Sequence, residues 1–600
     1  MSILDLSTPP AQAETPADLS RKQEAVKPAG SFGDMALALS GGGFRAAAFS
    51  LGAISYLNRA WLSSADDPLL KHISFTTSTS GGSLTNAVYS TAIFKPGFVF
   101  DEFYEGMKTF MNGEDLLTRV FDILTNAKKW NEKGTETING KIQKVEKSHN
   151  LINAFAKAYD EMLFKNSDTG KSETLDIFFN RHANPHLKTV CFNATELNNG
   201  IAFRFQTNGY PDSIFTVGNY YLHFNNADVA RKLKISDIAA TSSCFPSGFE
   251  PMIYPHDYIH PGLQNVDDML KAIDYKNNNP LKLNTVVNKP FCMMDGGVVD
   301  NQGLESMMME DNFRAKHPDK KPFDLMMVCD VGSYFMDRFE PIAATSGTVQ
   351  NITLKTIRRV LSVGLLGLAI SIYLLFCCPQ ARTIGLLLLI PMAMISAVYL
   401  FTKYLTAKKM EGLNSTHFGR TIARYLGYFG SLKFGLLQQM MIARFKSILM
   451  LNLNIFLAQE RRQSYSSFYG MPVYKNRALS CFIYEFSCQH DQVRKNNLET
   501  KDAEWWKPAE AQLTPSKQLQ DMATKATSMA TTLWFDAGPQ TMRDAVIACG
   551  QFTMCYNLLK HIYRLELLDA YWKTDSELQQ LKARLLADWA LFNANPGFMV

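Results

Sequence analysis

The sequence predicts an α/β fold with a parallel sheet, interrupted by a transmembrane hairpin. Three observations carry this expectation. A strand, a tight Gly/Ser turn and a helix follow one another twice between residues 35 and 84. Three more strand candidates lie downstream, ahead of a mostly helical C-terminal hundred residues. Two uncharged runs sit back to back between residues 360 and 401.

Residues 1–33 come first. Pro9, Pro10, Pro16 and Pro28 stand among Ser, Thr, Ala and charged residues without an apolar stretch. This reads as a flexible tail and not as a secretory signal. Met35–Leu39 is short and apolar enough for a buried strand and runs into Ser40-Gly41-Gly42-Gly43-Phe44-Arg45. Small and apolar residues from Ala46 to Leu57 suit a helix. Ile73–Thr77 is a second strand, stopped by Ser78-Thr79-Ser80-Gly81-Gly82, with a helix from near Leu84. Residues 100–180 carry helical spacing and predict a helical excursion over the sheet. Lys188–Thr195, Phe323–Asp330 and Leu479–Phe486 complete the strand candidates. No internal repeat is present.

The interruption is Val360–Cys378, 19 residues without a charge, and Ile384–Phe401, 18 more, around Pro379-Gln380-Ala381-Arg382-Thr383. Each run is long enough to cross a hydrocarbon core of about 30 Å as a helix. Lys355, Arg358 and Arg359 precede the pair and Lys403, Lys408 and Lys409 follow it, against Arg382 alone in the turn. The positive-inside rule then places both flanks, and the catalytic part, in the cytoplasm. Residues 418–457 mix Phe, Leu, Met and Gly with Arg420, Arg424, Lys433, Arg444 and Lys446. They fit a basic helix on the membrane surface and equally helices packed on the core. The expected organisation is a tail to 33, a core at 34–350, the hairpin at 351–410 and a helical part at 411–600.

Composition excludes several classes. Of the 600 residues, 46% are hydrophobic and 20% charged, with a net charge of +5, which is no nucleic-acid footprint. The ten Cys are scattered without C-x-x-C pairs or His at ligand spacing, so neither a disulfide frame nor a metal site is expected.

A nucleophilic serine needs an exposed hydroxyl, a base and amide donors for the oxyanion. A strand-to-helix elbow meets the first need when small residues stand two before and two after the serine. Ser80 has Ser78 and Gly82 there; Ser78 is more crowded, between Thr76 and Ser80, and Ser83 lies in the helix with Thr85 after it. Gly41, Gly42 and Gly43, between a strand and a helix N-terminus, free backbone N–H groups to serve as an oxyanion hole. A phosphate loop competes for the same glycines, but neither G-x-x-x-x-G-K-[ST] nor G-x-G-x-x-G is present. Arg45 is expected to hold this loop. None of the eleven His sits in a convincing motif. Met294-Asp295-Gly296-Gly297 instead puts a carboxylate at a loop tip, where Asp295 can act as base if it reaches the serine.

Gly41-Gly42-Gly43-Phe44-Arg45, Ser78-Thr79-Ser80-Gly81-Gly82-Ser83 and Asp295-Gly296-Gly297, in that order, resemble the patatin-like phospholipase family. Ala194–Leu197 and Ala240–Phe249 agree with it, and Thr531–Leu533 with Gln551–Leu559 resemble the helical end of bacterial members. The resemblance covers about 34–340 well and 411–565 loosely. It implies a three-layer α/β/α hydrolase with the hairpin inserted. The implied activity is calcium-independent hydrolysis of phospholipid acyl esters by Ser80 and Asp295, with Gly41, Gly42 and Gly43 as oxyanion hole and no cofactor. Arg45, Gly82 and Gly296 support the site. Membrane phospholipid is the implied substrate and the bilayer the partner; the oligomeric state stays open. Two departures stand out: Ser78 replaces the elbow's first Gly, and the hairpin is foreign to the usual soluble fold. A non-enzymatic membrane scaffold, or an acyltransferase or thioesterase with the same pair, are the alternatives.

Overall fold

A computed structural model describes residues 32–166, 169–179, 185–207, 216–246, 248–275, 289–333, 340, 351–413, 432–531 and 540–600. Residues 1–31 of the expected tail lie outside this set, as do Ser247, residues 418–431, Thr532 and Leu533. The chain divides into two compact units, Met1–Phe335 with Phe456–Val600, and Met336–Ile455. The first unit resumes at Phe456.

Thirteen strands are described: β1 (Met35–Leu39), β2 (Ile73–Thr79), β3 (Lys133–Ile138), β4 (Lys141–Glu146), β5 (Thr189–Glu196), β6 (Ile201–Gln206), β7 (Thr216–Gly218), β8 (Leu222–Phe224), β9 (Met252–Tyr254), β10 (Ile273–Tyr275), β11 (Phe291–Asp295), β12 (Leu325–Asp330) and β13 (Ala478–Phe482). The main sheet runs β10-β8-β7-β6-β5-β2-β1-β12-β13, with β11 pairing β5 and β9. It is mixed, which corrects the parallel expectation. β5, β2, β1, β12 and β13 are parallel, but β6, β7, β8 and β10 continue antiparallel from β5. The turn between β5 and β6 explains the change: residues 197–200 are far too few for a parallel crossover. Residues 100–180 also depart from the all-helical reading, because β3 and β4 form a separate hairpin among the helices.

The helices used below are α1 (Gly43–Arg59), α2 (Gly81–Ile93), α3 (Ile235–Ser243) and α4 (Leu304–Lys316); then α5 (Leu354–Cys377), α6 (Arg382–Leu413) and α7 (Phe434–Met450) of the second unit; then α8 (Leu457–Gly470) and α9 (Gln540–Leu568). All of β1 is buried, and its two-residue period decides where each side chain goes. Met35, Leu37 and Leu39 enter a large core shared with α1 and α9; Ala36 and Ala38 enter a smaller one with Leu304 and Met307 of α4 and Phe468 of α8. Both faces of the sheet are therefore covered, in the three-layer arrangement expected.

In the second unit α5 and α6 form the hairpin, joined at Pro379–Ala381. Thr353 caps α5 by accepting the Thr356 N–H at 3.0 Å. Ser371 and Ser396 donate to the carbonyls one turn back, Gly367 and Met392, so neither hydroxyl is left without a partner. Leu366, Phe376 and Leu387 are exposed. Arg359–Cys377 and Pro379–Leu400 are long and apolar enough to cross a membrane, and so is a third stretch, Phe434–Gly470. In α7 only Gly435 is buried, while Met441, Phe445 and Ile448 are exposed.

Candidate active site

The site is a consequence of strand register. β2 runs parallel to β5 with Thr79 opposite Asn193, and β11 runs antiparallel with Asp295 opposite Ala194. The two strands share one edge of β5 and meet end to end, carboxyl end against carboxyl end. The residue after Thr79 is Ser80, and the last residue of β11 is Asp295. They come together although 215 positions separate them in the chain.

Asn193 holds the seam. Its Nδ2 donates to Thr77 Oγ1 and to the Ser78 carbonyl, each at 3.0 Å, and its Oδ1 accepts from Ser306 Oγ at 2.7 Å. A Cβ on Gly296 would sit 2.4 Å from the Asn193 carbonyl oxygen, so only glycine fits beside it.

Ser80 turns the chain from β2 into α2 with φ 52° and ψ −123°. Among the described non-glycine residues only Ser80 and Asn139 have positive φ. Such backbone costs on the order of 1–3 kcal/mol and persists where its surroundings hold it. Here the Ser80 N–H donates to Ser242 of α3, and Gly81 and Gly82 lie against the neighbouring turn. A Cβ on Gly82 would meet the Leu39 and Ser40 carbonyls at 2.6 Å. The competing serines are buried. Ser83 Oγ bonds Ser78 Oγ at 3.0 Å and Ser242 Oγ at 2.8 Å, and Asn86 Nδ2 donates to Ser78 Oγ at 2.9 Å. The Ser78 hydroxyl is thus satisfied inside the protein, which explains why serine serves where glycine was expected.

Asp295 is 3% exposed. Burial pushes its carboxyl up to about 6, while the Gly297 N–H, which donates at 2.7 Å, and the nearby Ser80 hydroxyl act to lower it. An ionised carboxylate that is held at this cost readily takes up a proton near neutral pH.

The glycine turn lies alongside. Gly42 has φ 143°, and a Cβ there would stand 2.5 Å from Val331 Cγ2. The three glycines are not equivalent. The Gly41 N–H donates to the Asn301 carbonyl at 2.8 Å and is engaged in bracing the turn. Gly42 and Gly43, at the N-terminus of α1, have no N–H acceptor among the described residues outside that helix. Arg45 does not hold the glycine loop, as the sequence suggested. It reaches away, and its Nη1 donates to the Met529 carbonyl at 2.6 Å. Burial pushes its guanidinium down to about 10, with the charge of Asp330 acting in the other direction.

Sequence reasoning missed the scaffold: Asn193, Ser242, Asp300 and Asn301. Thr79 Oγ1 donates to the Asp300 carbonyl at 2.8 Å, and Asp300 accepts the Ser306 N–H at 3.1 Å at the start of α4. His72 pairs with Asp67 at 2.9 Å, away from this site. Among the described residues no three His, Cys, Asp or Glu side chains could hold a metal ion. A cavity of about 320 Å³ opens at the opposite end of the strands, between Asp34, His72, Ser74 and Arg314, and shares no residue with Ser80.

Residues 37–308 match the family model for patatin-like phospholipases. Among solved structures, human GIVD cytosolic phospholipase A2 aligns at 12% identity and a TM-score of 0.28. The alignment covers 52% of this chain and 45% of that one, so the chain spans less than half of that protein's length. No curated protein matches.

Proposed function

From a chain that carries a patatin-like phospholipase domain over residues 37–308, we propose a membrane-anchored serine hydrolase that cleaves acyl esters of phospholipids through Ser80 and Asp295. The observation that carries this reading is the strained Ser80 elbow in hydrogen-bonding reach of a buried carboxylate pushed up to about 6.

The chemistry follows from the geometry. Ser80 Oγ attacks the ester carbonyl carbon while its proton passes to Asp295. Negative charge gathers on the carbonyl oxygen and is met by the Gly42 and Gly43 N–H groups at the positive end of α1. The C–O bond breaks, the leaving alkoxide takes the proton from Asp295, and an acyl-serine remains. Water then attacks this ester, gives its proton to Asp295, and releases the fatty acid with Ser80 restored. The second unit supplies the anchor: α5 and α6 cross the bilayer as a hairpin, and the basic flanks favour a catalytic unit on the cytoplasmic side.

Two measurements test this. A fluorophosphonate probe should label Ser80, as mapped by mass spectrometry of the digested protein. Membranes holding the parent chain should gain free fatty acid and lysolipid that membranes holding Ser80→Ala do not. Ser80→Ala retaining more than about a tenth of the activity defeats the assignment, since losing a nucleophile costs several decades.

A further inference from the structure

One helix that is remote from Ser80 in sequence holds the glycine turn from two sides. α8 starts at Leu457, and in its first turn Glu460 is buried near Asn301, its Oε2 without a hydrogen-bond partner. Its Oε1 accepts from Ser464 Oγ at 2.8 Å. Asn301 passes the contact on, because its carbonyl accepts the Gly41 N–H at 2.8 Å. Its Oδ1 fills the space beside both turns: a Cβ on Gly41 would lie 2.4 Å from it and one on Gly297 2.7 Å. Asn301 is thus a wedge between the glycine turn and the Asp295 turn, and Glu460 stands behind the wedge.

The next residue reaches the other side. Arg461 Nε donates to Asp330 Oδ2 at 2.7 Å, Nη1 to the Ser333 carbonyl at 3.1 Å and Nη2 to Tyr484 Oη at 3.3 Å. Tyr465 donates to the same Asp330 oxygen at 3.0 Å. Asp330 ends β12, and the following Val331 donates its N–H to Ser40 Oγ at 3.1 Å and packs on Gly42. Ser40 and Gly42 are therefore braced by Val331, next to the Asp330 that α8 holds, and Gly41 by the Asn301 beside which Glu460 is buried.

We propose that Glu460 and Arg461 are positioning residues of the hydrolase, which set the glycine turn through Asn301 and Asp330 so that the Gly42 and Gly43 N–H groups meet the developing oxyanion. This rests on the reading of Ser80 as nucleophile. Neither side chain touches the reacting atoms. Oxyanion donors act only over a narrow range of distance, about 2.7–3.1 Å. A turn that drifts weakens the transition state more than the ground state, so kcat falls and KM stays.

The test uses the detergent-solubilised full chain, a short-chain p-nitrophenyl ester and fluorophosphonate labelling of Ser80. Glu460→Ala should lower kcat by about 10- to 100-fold with KM within about threefold, less than outright loss of a donor. Glu460→Gln should keep at least about a third of kcat. Burial, with Asp300 and Asp330 adding to it, pushes the Glu460 carboxyl up to about 8, so it carries its proton at pH 7 and an amide replaces it closely. Arg461→Lys, which keeps the charge beside buried Asp330, should lose about tenfold, because one ammonium cannot span three acceptors. Full turnover, within about twofold of the parent, in both Glu460→Ala and Arg461→Lys overturns the proposal; so does a loss confined to KM. Equal loss in both Glu460 variants also overturns it, since the acid itself would then be reacting. A parent chain that neither hydrolyses the ester nor takes the label on Ser80 defeats the proposed function instead.

Discussion

Replacing Asp295 with asparagine should make this protein more stable and inactive at once. The carboxyl is 3% exposed, and burial raises it from the ordinary 3.8 to about 6, despite the Gly297 N–H and the Ser80 hydroxyl that favour its ionised form. Between these two values the folded chain holds a proton that the unfolded chain has lost. The stability this group contributes is therefore complete below about pH 4 and is lost as pH rises through 6. At about 1.4 kcal/mol per tenfold change in proton concentration, the loss is about 3 kcal/mol. Asparagine cannot ionise and still accepts from the Gly297 N–H, so it escapes that cost. At pH 8 Asp295→Asn should melt above the parent, by up to about 5 °C for a unit of this size, and the two should converge at pH 4. The parent's kcat/KM should rise with pH around a midpoint of about 6, because only the ionised carboxylate accepts the serine proton. Thermal unfolding in detergent from pH 4 to 8, beside ester hydrolysis, measures both. A variant that melts no higher than the parent at pH 8, or a parent profile flat from pH 5 to 8, would refute the reasoning.

Other outcomes follow from the same geometry. Ser80→Ala and Asp295→Asn should each abolish nearly all esterase activity, and the double variant should be scarcely worse, because the pair acts as a unit. Gly42→Ala places a Cβ 2.5 Å from Val331 Cγ2 at φ 143° and should cost roughly 100-fold or more in turnover, read on folded protein. Asn193→Ala removes the bonds to Thr77, Ser78 and Ser306 and should destabilise the fold by about 2–4 kcal/mol, seen in denaturant titration. The full chain should stay in the membrane pellet through alkaline carbonate, and replacing residues 360–401 with a short linker should weaken that retention to a salt-sensitive one, assayed by sedimentation.

What could be read in advance was what is local in the chain. β1 and its glycine turn, β2 and its serine elbow, and the hairpin all announce themselves within runs of apolar residues bounded by Gly, Ser or Pro. β3 and β4 were silent to that reading because their residues are mostly exposed and polar, so no burial period exists. Their turn did carry a signal, Asn139-Gly140 with φ 53° and 74°, which marks a tight hairpin regardless of hydropathy. β7 to β10 are three residues each, below the length at which alternation shows. Within the candidate site, Ser80, Asp295 and the glycines stand out as motifs. Asp300 and Asn301 lay in the same stretch as Asp295 but looked like ordinary loop polarity. The Arg461–Asp330 pair joins positions 131 residues apart, and no pattern in either neighbourhood points to the other.

For the proposed membrane anchor, the pairing of β12 with β13 also constrains the number of crossings. Met326 to Asp330 lie beside Ala478 to Phe482 in one sheet, and every apolar segment of the second unit lies between them in sequence. A chain that leaves a sheet and later rejoins it must end on the side of the bilayer where it started, so it crosses an even number of times. Among the described residues three segments are long and apolar enough to cross, and one crossing each would be odd. In the proposed anchor the hairpin of α5 and α6 supplies one such pair. On that reading α7, with Gln438, Gln439, Arg444 and Lys446 among its apolar residues, would be the one to lie along the bilayer surface. A hydrogen-bonded ladder of five residues thus limits the proposed anchor to an even number of crossings.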